Sequence, residues 1–220
     1  MVLEQCMYNS SANIKVIACE ALGSLVTTLD AKQIKYFSQL ALPLIEIIKY
    51  VILNEKNEDL SNDIMNVLAD ISETEPRYLK KHFVEILNAM CEIRNSKETD
   101  GGLKDQAIEI VVTISERYPE ILKKNSKVLV QVLELILLHM IEIDSEVLPE
   151  WANPPDGFNE DNEEEDDQKI IKFSMNCIDR LIAHVGSTVM LKHLSEYDQL
   201  MNSNPKGMRI KLINKKLLSV

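Results

Sequence analysis

Glycine and proline are scarce in this chain, six and seven among 220 residues, and aromatic side chains make up only 5%. A sheet protein of this size needs turn glycines and packed aromatics, so the shortage argues against all-β architectures and for helices. The four cysteines, Cys6, Cys19, Cys91 and Cys177, form no CxxC pair. That spacing excludes a paired-cysteine zinc site, and the cysteines read as reduced packing residues of an intracellular protein. No basic segment followed by an apolar run opens the chain, and the most apolar stretch, Val128 to Leu138, is interrupted by Gln131 and Glu134. Neither a signal peptide nor a membrane span is expected.

What is abundant is aliphatic and charged. Hydrophobic residues reach 45%, enough to bury a core, and the formal net charge is -11. That charge is local. Residues 144–167 carry eleven acids and no lysine or arginine, which leaves 24 acids against 24 bases elsewhere. The balanced remainder has no bulk affinity for nucleic acid, and the acidic segment repels phosphates and attracts basic partners.

Compared with itself at an offset of 43, the chain repeats: Leu60, Ile71, Ser72, Glu73, Pro76, Leu79, Lys80 and Lys81 match Leu103, Ile114, Ser115, Glu116, Pro119, Leu122, Lys123 and Lys124. A period of ~40 to 47 residues with paired helices is the HEAT or armadillo range. Apolar residues spaced by three and four supply the helices. One stripe runs through Leu60, Ile64, Val67, Leu68 and Ile71, and an equivalent one through Leu103, Ala107, Ile110, Val111 and Ile114. The same spacing reads earlier as Ile14, Ala18, Ala21, Leu22 and Leu25, and later as Ile170, Ser174, Cys177, Ile178 and Leu181. Equivalent inner helices are therefore expected from near residues 12, 58, 102 and 168, with partner helices over roughly 32–52, 77–94, 120–143 and 187–202. Pro76 and Pro119 fall where a missing N–H costs nothing, at a first helical turn, whereas Pro43 lies inside an apolar pattern and should kink or break its helix.

The expected fold class is all-α: a right-handed α-α superhelix, a HEAT-repeat solenoid of about four to five helix pairs, spanning 1–220 as a single unit. One step in it is longer by ~23 residues than the period allows. The surplus is the segment 144–167, with Pro149, Pro154, Pro155, Gly157 and its acidic run. A long, mostly unstructured acidic loop is expected there.

Catalytic chemistry finds no foothold. His82, His139, His184 and His193 are not in HExxH or beside cysteines at ligand spacing, and no GxSxG or phosphate-binding glycine loop occurs. The acidic run lacks the alternating ligands and sixth-position glycine of a calcium loop. No enzyme activity, metal or cofactor is expected. Two features point instead to partners. Trp151, the only tryptophan, stands beside the acidic run as either a pin for the loop or an aromatic anchor, with Phe158 suited to the same job. Lys80-Lys81 and Lys123-Lys124 recur at one point of successive repeats, as a solvated face or a basic ladder.

Four stretches, "YFSQLALPLIEIIKYV", "DIMNVLADISETEPRYLKKHF", "QAIEIVVTISERYPEILKK" and "EWANPPDGFNEDNEEEDD", give the chain a resemblance to the importin-β family of nuclear transport receptors, in its karyopherin beta 3 branch. The last is the most specific, because Trp-Ala-Asn beside an acidic loop is similar to that branch's arrangement. The resemblance thins after Asn204-Pro205, where "KGMRIKLINKKLLSV" (206–220) is unusually basic, and importin-β proteins are several times longer, so the chain looks like an internal fragment. What the resemblance implies is a receptor shuttling between cytoplasm and nucleus, binding cargo proteins with basic localisation signals, Ran-GTP and nucleoporin Phe-Gly repeats, and neither nucleic acid nor membrane. It places partner contacts on Trp151, Glu160, Asp161, Glu163, Glu164, Glu165, Asp166 and Asp167. The alternative is a generic HEAT-repeat scaffold for a phosphatase or chromatin complex.

Overall fold

The computed structural model describes residues 2–141 and 164–193. Every regular element among them is a helix: α1 (Val2–Met7), α2 (Ala12–Val26), α3 (Ala31–Phe37), α4 (Ala41–Asn54), α5 (Glu58–Thr74), α6 (Phe83–Asn95), α7 (Gly101–Arg117), α8 (Pro119–Lys124), α9 (Ser126–Ile141) and α10 (Glu164–Val185). Residues 187–193 are helical again. The chain divides into two units, 1–121 and 122–220.

In the first unit the helices form two layers. α2, α5 and α7 lie side by side, α4 and α6 form the second layer, and α4 packs on α5 as α6 packs on α7. The 43-residue period is realised in the boundaries themselves: α5 and α7 are both 17 residues long and begin at Glu58 and Gly101. Their starts are fixed by side chains that accept otherwise unpaired backbone N–H groups. Asn57 Oδ1 takes the Leu60 N–H at 3.0 Å, and Asp100 Oδ2 takes the Gly102 N–H at 2.8 Å. Ile64, Leu68 and Ile71 of α5, and Ala107, Val111 and Ile114 of α7, are fully enclosed. Burial of each large aliphatic side chain contributes ~1.5 to 3 kcal/mol.

The break expected in the first partner helix near Pro43 is present, and the next two, expected to be continuous, are interrupted as well. α3 ends at Phe37, a 3-10 turn covers Ser38–Leu40, and α4 starts at Ala41, so the break precedes Pro43 and leaves it in a first turn. The pyrrolidine ring clashes with the carbonyl four residues back, here that of Gln39, and the distortion settles there. In the next repeat Pro76 opens a turn, its carbonyl accepting from Leu79 and Lys80 at 3.1 Å each. A 3-10 turn, Lys80–His82, follows, and α6 begins only at Phe83. In the third, Pro119 opens α8 as expected, but the helix stops at Lys124 and α9 restarts at Ser126. Tyr78 ties two of these corners together: it is 2% exposed, and its hydroxyl donates to the Phe37 carbonyl at 3.2 Å.

The stripe expected on α2 is rotated. Ala18 and Leu22 are buried, but Ile14 is 41% exposed, and the buried face runs Val16, Cys19, Leu22, Gly23 and Val26. α2 is apolar over most of its circumference, so two helical stripes were available and packing on α5 selected the one carrying the glycine. A Cβ on Gly23 would stand 3.0 Å from Val67 Cγ1, so this position sets how closely α2 and α5 approach. The segment Ala31–Asn54 has the length and apolarity of a membrane span. It is nonetheless broken by the 3-10 turn, and Leu44, Ile48 and Val51 are wholly buried, as in the core helix of a packed layer.

In the second unit α9 packs against α10. α10 buries Ser174, Cys177, Ile178 and Leu181, the stripe read from the sequence. His139 of α9 is 3% exposed and meets the Phe173 ring edge-on at 6.1 Å. α10 begins four residues before the expected start near 168, so Glu164 to Asp167 belong to a helix and not to the acidic loop. Carboxylates in a first helical turn are favoured by the macrodipole, which is why an acidic run can start a helix.

Candidate functional site

The exposed sides of α2 and α5 enclose a polar groove of about 360 Å³. Gly23 and Val67 line it where a Cβ on Gly23 would stand 3.0 Å from Val67 Cγ1. Glu20 from α2 and Asp63 and Asp70 from α5 stand on its walls, and no basic side chain lines it. Asp63 and Asp70 are two helical turns apart, with Asn66 between them on the same face. The groove edge continues to α7, because Gln106 Nε2 donates to Asn66 Oδ1 at 2.8 Å. Carboxylates and amides at helical spacing, without cations, suit an extended basic segment: the acids pair with its side chains and the amides hydrogen-bond its backbone. Sequence reasoning followed the apolar stripe of α5 and passed over its opposite face. The signal was present as Asp63, Asn66 and Asp70 at steps of three and four.

A second electrostatic cluster closes the corner after α5. Glu75 is 8% exposed and receives two Arg77 hydrogen bonds, Nε to Oε1 and Nη2 to Oε2, both 2.6 Å. The Arg77 bonds hold the Glu75 carboxyl below the usual carboxylate range. Lys80 Nζ lies 4.2 Å from the Tyr118 ring centroid and 2.8 Å from Glu120 Oε1. Lys80 is therefore neutralised locally and links two repeats, while Lys81, Lys123 and Lys124 are exposed.

Trp151, Phe158, Glu160, Asp161 and Glu163 lie outside the described residues, as does 206–220. Glu164, Glu165, Asp166 and Asp167 have helical backbone. No group of three metal-ligating side chains occurs among the described residues. Cys19 and Cys177 are buried and Cys6 and Cys91 half-buried, with no disulfide among them. Burial pushes the Cys19 thiol up to about 12.

The family of IPO5-like TPR repeats matches residues 1–89, and the importin repeat family matches 96–192. The chain belongs to the importin-β family. This importin segment is 21% identical over 198 residues to importin subunit beta-3 of Saccharomyces cerevisiae, covering 88% of the chain and 17% of that protein. Crystal structures of Kap121p share its fold. The one bound to RanGTP superposes with a TM-score of 0.77 at 18% identity, over 94% of this chain and 20% of Kap121p. The one bound to Nup53p gives 0.76 at 19% identity, over the same shares of the two chains. The fold is thus the HEAT-repeat solenoid expected from the 43-residue period, and the segment spans about a fifth of the length of the relatives it matches.

Proposed function

We propose that this chain is the part of a nuclear import receptor that contributes to binding basic cargo segments and Ran-GTP, through the α2–α5–α7 layer and the acidic segment 144–167. The observation that carries the reading is the groove walled by Glu20, Asp63 and Asp70, in a chain matched along 1–89 and 96–192 by importin-type repeats. Importin subunit beta-3 is a relative, and Kap121p has been crystallised with RanGTP, with Pho4p and with Nup53p, which supports cargo, Ran and nucleoporin partners for a protein of this fold. The receptor shuttles between cytoplasm and nucleus. It works by binding and release rather than by chemistry. Trp151 and the carboxylates Glu160, Asp161, Glu163, Glu164, Glu165, Asp166 and Asp167 form a second contact region for basic partners.

The deciding experiment is capture by the full-length protein of Ran loaded with GTP or with GDP, with and without a basic cargo peptide. A transport receptor retains the GTP form selectively and loses cargo as Ran-GTP is added. Equal retention of both forms, with cargo unaffected, would favour a generic HEAT scaffold.

A further inference from the structure

A single residue separates α8 from α9: α8 ends at Lys124, Asn125 intervenes, and α9 starts at Ser126. Asn125 caps the second helix, its carbonyl accepting from Leu129 at 3.1 Å and its Oδ1 from Val128 at 3.4 Å. All five residues from Lys123 to Lys127 are exposed, the longest such run among the described residues, whereas Leu122 and Val128 on either side are buried. Ser126 therefore stands in the open with Lys123 and Lys124 three and two residues before it and Lys127 directly after. No other serine or threonine among the described residues has a base at both of those preceding positions. Among the described residues the Ser126 hydroxyl makes no hydrogen bond, and none of the three lysines forms an ion pair. By contrast the hydroxyls of Thr27, Thr28 and Thr74 donate to carbonyls three or four residues back, and Lys80, the counterpart of Lys123 one repeat earlier, is held by Glu120.

Kinases that favour basic substrates carry carboxylates that pair with bases preceding the acceptor, so the charge pattern selects the hydroxyl. We propose that Ser126 is a phosphorylation site, read by a basophilic serine kinase through Lys123 and Lys124. Ser126 Oγ attacks the γ-phosphorus of ATP, its proton passes to the kinase's catalytic aspartate, and the bond from that phosphorus to the ADP oxygen breaks, releasing ADP. The product sits on the first residue of a 16-residue helix, where the macrodipole favours an anion. Its charge of about −1.5 to −2 offsets most of that of Lys123, Lys124 and Lys127. Phosphorylation thus erases a basic patch without melting the helix that bears it, and weakens the hold of that patch on an acidic partner.

The test incubates the folded 220-residue chain with ATP and the catalytic subunit of a cyclic-AMP-dependent protein kinase, and locates the phosphate by peptide mass mapping. Ser126 should be labelled in the native protein. K123A/K124A, shown to be folded by circular dichroism, should label at Ser126 about tenfold more slowly, the loss expected from two exposed charge pairs. The phosphorylated chain should unfold at a urea midpoint no lower than that of the unmodified chain. Ser126 left unlabelled, or labelled only after unfolding, overturns the site. Equal rates with and without the two lysines overturn its reading by charge, and a lowered midpoint overturns the accommodation of phosphate by α9.

Discussion

Glu75 and Tyr118, 43 residues apart, hold the same uncommon backbone conformation, φ/ψ of -138°/59° and -133°/59°. Each closes a 17-residue helix, and each gives its N–H to the carbonyl of the isoleucine four residues back, Ile71 and Ile114, at 2.9 and 3.0 Å. A proline follows both, and the residue before a proline is driven out of the helical region. Helix length is therefore set by Pro76 and Pro119, and with it the register of the repeats.

Equivalent positions should respond equivalently. Leu68 and Val111 are both fully buried, so Leu68→Ala should cost ~2 to 5 kcal/mol, and Val111→Ala less in proportion to its smaller side chain. Urea unfolding with unchanged slope would establish this. A loss under ~0.5 kcal/mol at both would show that the packed faces are misplaced.

Thiol reactivity should divide by burial. At pH 8, Cys6 and Cys91 should react with a thiol reagent in the native protein, and Cys19 and Cys177 only after unfolding. Because the folded Cys19 thiol lies near 12 against 9.0 for a free thiol, its contribution to stability is intact below pH 9 and is lost between pH 9 and 12, where the unfolded chain ionises first. Tyr78 is shifted upwards by burial in the same sense. Cys19→Ala should flatten the alkaline fall in unfolding midpoint, and an unchanged pH profile would contradict the burial of the thiol.

Acid acts in the opposite direction at Glu75. Its lowered carboxyl makes a contribution that is present above the ordinary carboxylate range and is lost as pH falls through the folded value. Glu75→Gln should lower the unfolding midpoint at pH 7 and reduce its dependence on pH below 5. Midpoints that differ from wild type by the same amount at pH 7 and pH 3 would exclude this ionic contribution.

The acidic segment should act on rates. Replacing the seven acids of Glu160 to Asp167 with serine and asparagine should lower stability modestly, through the lost first-turn carboxylates of α10, slow association with a basic cargo peptide or Ran-GTP, and flatten the salt dependence. Single replacements should be weak, since exposed pairs contribute ~0.2 to 1 kcal/mol each. Identical association rates with and without the acids, at every salt concentration, would remove this segment from the partner surface.

The layer of α5 and α7 was legible in the sequence because its apolar stripes, caps and closing prolines all agree on one register. The first three partner helices were legible in place but, apart from the break at Pro43, not in continuity. Pro43 marked the break that falls just before it, whereas the apolar periodicity runs unbroken through Asn125 and only the backbone shows the stop there. On α2 two stripes competed, and Gly23 decided between them through a contact with Val67 that periodicity does not contain. The acidic groove was readable from α5 alone, but its other wall, Glu20, comes from a helix more than 40 residues earlier. Tertiary pairing, not local pattern, assembles it.

Within that groove α2 and α5 pack so closely that a methyl group at Gly23 would stand 3.0 Å from Val67 Cγ1 and require Val67 to shift. Val67 is β-branched and has one favoured helical rotamer, so it has little room to yield. A cleft founded on such a contact cannot remodel itself around its occupant as a loop-built site can. The ordering entropy of binding then falls almost wholly on the ligand. This surface should select segments that arrive unfolded and take their shape from it, and discriminate poorly among rigid ones.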